Sequence, residues 1–164
     1  GEVVVFDPAH IAEQMPDLAK LGVDPLVDEF TPEILRQRFA KKRGNLKATL
    51  LDQHVVAGIG NIYADEIMHR AKLRWSRVPA SLSMPTLVRL HEAIVHVLTT
   101  AVEAGGSTLD DTQYVDIDGE QGWFQTEHRV YGRGGEQCIT CKKARISRTT
   151  VAGRTTCYCA VCQK

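Results

Sequence analysis

The sequence predicts a mainly α fold, a helical body closed by a small β-hairpin end, and three observations carry that prediction. Between Thr31 and Gly106 the chain alternates helix start and stop signals with apolar residues at helical spacing. From Ser107 onward the composition shifts to Gly, Asp and Thr with short β-prone pieces. All 5 Cys fall in the C-terminal stretch from Cys138 to Cys162, four of them paired as Cys-x-x-Cys.

The elements follow in order. Gly1 to Asp7 is a β-branched apolar run ended by Pro8, and reads as a strand without a nearby hairpin partner. Thr31-Pro32-Glu33 supplies an N-cap, a proline at the first helical position and an early acid, so a helix is expected from Pro32 to about Lys42, stopping before Gly44. Leu46 to Leu51 is a second helical piece. A glycine-containing connector, His54 to Gly60, leads to a third helix that Asn61 is placed to cap and that runs to about Ala71. The fourth starts near Ser83 and ends at Gly105-Gly106. Its Leu87, Leu90, Ile94, Val97, Leu98 and Val102 are expected in the core. Beyond it, Gly122 to Gln125 and Arg129 to Tyr131 are β-prone. The expected organisation is a strand and linker over 1–30, a helical domain over 31–106, a loop and connector over 107–134, and a cysteine-bearing finger over 135–164.

At 164 residues, 43% hydrophobic and 24% charged, the chain has the composition of an ordinary globular domain with a small appendage. It has no apolar run of the roughly 18 residues a membrane helix needs, and no basic segment followed by an apolar core at its start. Membrane and export roles are therefore disfavoured, and a cytoplasmic setting is expected.

Cys138-x2-Cys141 and Cys159-x2-Cys162, with 17 residues between the pairs, have the two-knuckle spacing of a structural zinc site. Each knuckle turns two thiolates toward one metal, and the intervening hairpin brings the knuckles together. Four thiolates leave no open coordination position, so one structural Zn2+ is expected, and it supplies folding free energy that so small a β element lacks. Cys157 is the spare thiol and is assigned to the hairpin face.

The net charge of zero hides a segmental pattern. Residues 1–35 hold one base and eight acids; residues 36–77 hold ten bases and three acids. Residues 101–128 hold seven acids and no base, and residues 129–164 eight bases and one acid. Two blocks with a surplus of seven positive charges each are thus available for phosphates. Within the first block Gly58-Ile-Gly60-Asn61 precedes a helix whose unsatisfied amides and dipole favour an anion, and Lys47 lies beside it in sequence.

Taken together, these stretches resemble the C-terminal portion of the formamidopyrimidine-DNA glycosylase and endonuclease VIII family. The matching segments are Leu21 to Leu26, Leu46 to Leu51, Gln53 to Glu66, Gly105 to Leu109, Gly122 to Gln125, Val130 to Arg133 and Gly153 to Lys164, in the family's order. The resemblance implies a helix-two-turn-helix body with a zinc finger and a bacterial, nucleoid-associated role in base-excision repair. It implies that Lys47, Asn61 and Arg154 contact the DNA backbone, with Gly60, Tyr63 and Arg133 in the same DNA-binding set. Ser107, Thr108 and Tyr114 fall in the counterpart of a mobile loop that covers an everted base.

The resemblance also marks what is missing. Members of that family begin with a proline whose secondary amine attacks the sugar, followed by a proton-transferring glutamate. By motif order Gly1 to Asp7 instead matches the last strand of the family's N-terminal β-domain, so Gly1-Glu2 is no variant of that pair. An Arg-Phe wedge expected just after this strand is replaced by Asp7-Pro8-Ala9-His10-Ile11, which favours a shortened paralogue over an expressed fragment. The expectation is a monomeric, zinc-dependent module for double-stranded DNA, including lesion-bearing or abasic duplexes, with no catalytic residue of its own. The alternatives are a fragment of a bifunctional glycosylase/lyase of the 8-oxoguanine and formamidopyrimidine type, a lyase acting on abasic sites through a non-proline amine at Gly1 or Lys47, and a protein-interaction module.

Overall fold

Ten residues of sequence, from Asn61 to Arg70, organise the molecule, because this helix touches both the helical body and the C-terminal hairpin. The computed structural model describes residues 4–107 and 122–164. Its helices are α1 (Ile11–Gln14), α2 (Pro16–Ala19), α3 (Pro32–Phe39), α4 (Leu46–Leu50), α5 (Asn61–Arg70) and α6 (Met84–Glu103), followed by strands β1 (Ser147–Val151) and β2 (Arg154–Tyr158). Among the described residues no helix is long and apolar enough to cross a membrane.

Local chemistry starts and stops these elements much as the sequence predicts. Thr31 caps α3, its hydroxyl accepting the Ile34 amide at 3.2 Å, and Pro32 opens the first turn. Asn45 caps α4 by accepting the Ala48 amide at 2.8 Å. The α6 helix ends where Gly105 and Gly106 adopt φ of 67° and 84°, conformations that cost a side-chain-bearing residue. Leu87, Leu90, Ile94, Val97 and Leu98 of α6 join Leu35, Phe39, Leu46, Leu50, Ile59 and Ile67 in one buried cluster. Val102 departs from expectation and is 69% exposed. The helix turns its inward face through Ala101, and the next residue lies about 100° further round.

Three further expectations are corrected. Gly1 to Val3 lie outside the described residues, and Val4 to Asp7 form no strand: Val5 is 96% exposed and no neighbour among the described residues supplies ladder hydrogen bonds. Asp7 instead caps the turn Pro8–His10. Asn61 does not cap α5; Gly60 occupies the cap position, and the Asn61 amide is used elsewhere. The β-prone Gly122 to Gln125 becomes a 3-10 turn over Phe124–Glu127, preceded by an isolated bridge between Trp123 and Ser107. A Cβ at Gly122 would collide with the Gly105 and Gly106 carbonyl oxygens, so this approach needs glycine and pins the segment against the end of α6.

The hairpin is antiparallel, with Val151 opposite Arg154 and Arg148 opposite Cys157. Its two-residue turn has positive φ at both Ala152 (49°) and Gly153 (71°), the condition for a type I′ turn that matches strand twist. Beneath it Val130, Ile146, Cys138, Cys157 and Cys159 form a second, smaller buried cluster.

Candidate nucleic-acid interface and metal centre

Asn61 and Asp65 stand one turn apart on α5 and so share a helix face, which is turned to β2. The Asn61 Nδ2 donates to the Thr155 carbonyl at 3.2 Å. The Lys47 Nζ donates to that same carbonyl at 3.0 Å and to Asp65 Oδ1 at 2.7 Å, while the Cys157 amide donates to Asp65 Oδ2 at 2.7 Å. Lys47 and Asp65 are both fully buried. Burial pushes the Lys47 ammonium below its ordinary range and the Asp65 carboxyl above its own, and each opposes the other's shift through their contact. An ion pair this dry persists only when its remaining polar atoms are also satisfied, and Thr155 and Cys157 do that. The next residue, Glu66, accepts the amides of Arg129, Val130 and Tyr131 at 2.8 to 2.9 Å. Two adjacent carboxylates thus clamp the hairpin and the segment before it onto α5.

This clamp shapes a cleft of about 880 Å³. Gly58 to Tyr63 form one wall, Gly105, Gly106 and Ser107 another, and Tyr131, Ala152 and Arg154 the third. The first amides of α5 have no acceptor within the helix and carry the positive end of its dipole. Arg154, exposed at the hairpin turn, adds a full positive charge to the same cleft. Tyr63 is half-buried against Phe124, edge to face at 5.4 Å, and burial raises its hydroxyl pKa. At the cleft's edge the Ser107 hydroxyl lies 3.2 Å from His128 Nε2, and that ring packs edge-on to Phe124 and Tyr131. Such an arrangement can accept an anion at the helix terminus and leaves open volume beside it.

The four thiols Cys138, Cys141, Cys159 and Cys162 lie within 4.8 Å of one another. Tetrahedral zinc with sulfur at about 2.3 Å requires sulfur atoms about 3.8 Å apart. Cys138 to Cys162 at 3.8 Å and Cys141 to Cys159 at 3.7 Å meet that requirement and are far too long for disulfides. The residues therefore fit a metal ion closed by four sulfurs. The amides of Lys143 and Ala144 bring the Cys141 thiol down to about 6, within easy reach of the thiolate a metal needs. Cys157 stands apart, on β2, its amide committed to Asp65.

Of the sequence-predicted residues, the structure brings Gly60, Asn61, Tyr63, Ser107 and Arg154 to one cleft. Lys47 lies behind that cleft with no exposed surface, so the expected direct phosphate contact gives way to support of the Thr155 carbonyl. Arg133 is not on the cleft wall: its guanidinium bonds to Glu136 and to the carbonyls of Arg129 and Gln137. Thr108 and Tyr114 lie outside the described residues. Sequence reading missed Asp65 and Glu66, although two acids among the apolar Ala64, Ile67 and Met68 signal carboxylates that must find partners inside. It also missed Gln53, which braces the glycine connector by donating to the Ile59 carbonyl at 3.0 Å and accepting the Gly58 amide at 3.0 Å.

Comparison with known proteins decides the lineage. The description "Formamidopyrimidine-DNA glycosylase H2TH domain" matches residues 21–113. The chain belongs to the formamidopyrimidine-DNA glycosylase family. Its similarity extends to the formamidopyrimidine-DNA glycosylase of Geobacillus kaustophilus, 48% identical over 168 residues that take in 99% of this chain and 60% of that protein. That of Halalkalibacterium halodurans is 44% identical, over 93% of this chain and 55% of that protein. Among solved structures, the MutM (Fpg) protein of Thermus thermophilus superposes with a TM-score of 0.86 at 44% identity, covering 93% of this chain and 57% of that one. The Lactococcus lactis Fpg bound to DNA with an abasic site gives a TM-score of 0.84 at 33% identity, covering 97% of this chain and 57% of that one. The chain thus spans a little over half the length of these glycosylase relatives.

Proposed function

We propose that these 164 residues form a DNA-binding module of the formamidopyrimidine-DNA glycosylase family, gripping duplex DNA at a lesion or abasic site through its phosphates. The observation that carries the reading is the convergence of the α5 N-terminus, Asn61, Arg154 and Ser107 on one cleft. Relatives solved with lesion-containing and abasic DNA support it. In this reading α4, the connector through Gly60 and α5 form the helix-two-turn-helix, and one structural Zn2+ sits among the four cysteines as a monomer's hairpin staple. The attacking proline and its glutamate partner, which the family resemblance assigns to an N-terminus, are not among these residues, so they bind without excising a base.

Lys47 is not an alternative nucleophile. An amine must be neutral and accessible to attack a sugar, and this one is buried against Asp65 at 2.7 Å. Binding of a labelled duplex carrying a tetrahydrofuran abasic analogue, followed by anisotropy, tests the first half of the proposal: Arg154→Ala is expected to weaken it roughly tenfold. Unchanged affinity contradicts the cleft as the DNA site. Borohydride trapping on abasic DNA tests the second half, and a covalent adduct contradicts it.

A further inference from the structure

The far end of α5 carries a second, unassigned surface. Arg70 lies nine positions after Asn61, about 14 Å along the helix. There two adjoining hollows of about 370 and 530 Å³ meet at Lys72, Thr140 and Cys162. Six cations line them: Arg70, Lys72, Arg77, Arg89, Arg129 and Lys164. Among the described residues only two acids do, Glu66 and Glu127, and Glu66 already accepts three backbone amides. Among the described residues Arg70, Lys72 and Arg77 have no ion-pair partner, and Arg129 meets Glu127 only at 4.0 Å. Capping the C-terminus of α5 accounts for Arg70, Lys72 and Arg89, whose Nε donates to the Ala71 carbonyl at 3.0 Å, but not for the other three.

Of the apolar residues in the walls, Val97, Phe124 and Leu73 are buried and Val161 alone is exposed. His69 also lines the first hollow; it is 5% exposed, and its Nε2 has no hydrogen-bond partner among the described residues. A buried, unpaired ring nitrogen is costly unless a partner arrives to use it.

We propose that this groove docks an acidic peptide segment of a partner protein. Carboxylates satisfy the guanidinium forks in bidentate fashion. A nucleic-acid strand fits less well: among the described residues the only aromatic carbocycle lining either hollow is Phe124, which is 3% exposed and offers no face for base stacking. The groove stands on different residues from the DNA cleft, so either assignment survives failure of the other.

The test uses the zinc-loaded chain and a short fluorescein-labelled peptide alternating aspartate with glycine, read by anisotropy. Saturable binding is expected, weakened roughly tenfold or more by Arg70→Glu and again by Arg77→Glu, and lost when asparagine replaces aspartate in the peptide. Excess duplex DNA is expected to leave the peptide bound, and Arg70→Glu to leave duplex affinity unchanged. Both cations are exposed, and circular dichroism of each variant confirms its fold. Absence of binding, indifference to both charge reversals in folded protein, or displacement by duplex DNA overturns the proposal. So does an oligothymidylate that binds the same cations more tightly than the peptide, which would make the groove a nucleic-acid track.

Discussion

Lys47 acts at one remove from any phosphate. Its ammonium fixes the Thr155 carbonyl, Thr155 follows Arg154, and the same carbonyl receives the Asn61 amide, so one buried charge sets the spacing of two cleft residues. Lys47→Met leaves the Asp65 carboxylate buried with only the Cys157 amide for company, a loss of about 3–5 kcal/mol in urea unfolding. Lys47→Met with Asp65→Leu removes both charges and is expected to recover most of that loss; if the double variant is as unstable as the single, the pair is not the origin. His128 provides a separate residue-scale test. Burial holds its ring at about 4, against an ordinary 6.5. Because the unfolded chain takes up that proton first, its contribution is complete above about pH 6.5 and is lost as pH falls toward 4. Urea unfolding between these limits is expected to show stability falling with acidification, and His128→Leu to flatten the fall; an unchanged slope in the variant removes His128 from the account. Neither role was legible in the sequence. Lys47 lies in a segment with a surplus of bases, and its partners are 18 and 108 residues away, so nothing local distinguishes it from a solvated lysine.

At the scale of elements, what was legible is what is decided locally. The cap Thr31, the stop at Gly105-Gly106 and the four metal-spaced cysteines each depend on neighbours within a few residues. What was illegible depends on a distant surface. The β-prone Arg129 to Tyr131 spends its amides on Glu66 rather than on a strand, and Gly122 is held against the end of α6. These long-range bonds alter what metal removal should do. A hairpin standing alone would unfold without disturbing the helices. Here β2 holds the partners of Lys47 and Asp65, so its loss exposes or strands buried charge in the body at about 1–3 kcal/mol for each unsatisfied group. Chelation is therefore expected to erase the dispersed amide signals of residues 135–164 and also to lower the melting temperature of α3 to α6, which retain their helical circular dichroism. A body melting temperature unmoved by chelation would show that the clamp does not couple them.

For the whole molecule, the two basic blocks do not form one face. The first divides: Lys47 goes inside, Lys42 pairs with Asp52 at 2.8 Å, and Arg70, Lys72 and Arg77 line the groove at the far end of α5. In the second, Arg133 and Arg145 are tied to carbonyls of the finger, Arg129 belongs to the groove, and Arg154 faces the cleft. Far fewer charges than the combined surplus are therefore placed to meet a duplex. Each neutralised phosphate contributes about −0.9 to the slope of log affinity against log salt. If every surplus charge served DNA the slope would be about −13; Arg154 with a few neighbours on the hairpin, helped by the uncharged amides of α5, gives about −2 to −4. Titration of duplex binding between about 50 and 200 mM salt separates these cases, the shallow slope corresponding to a roughly 15- to 250-fold loss of affinity over that range. A slope steeper than about −6 would mean that DNA reaches the groove cations as well, and the division of labour between the two ends of α5 would have to be abandoned.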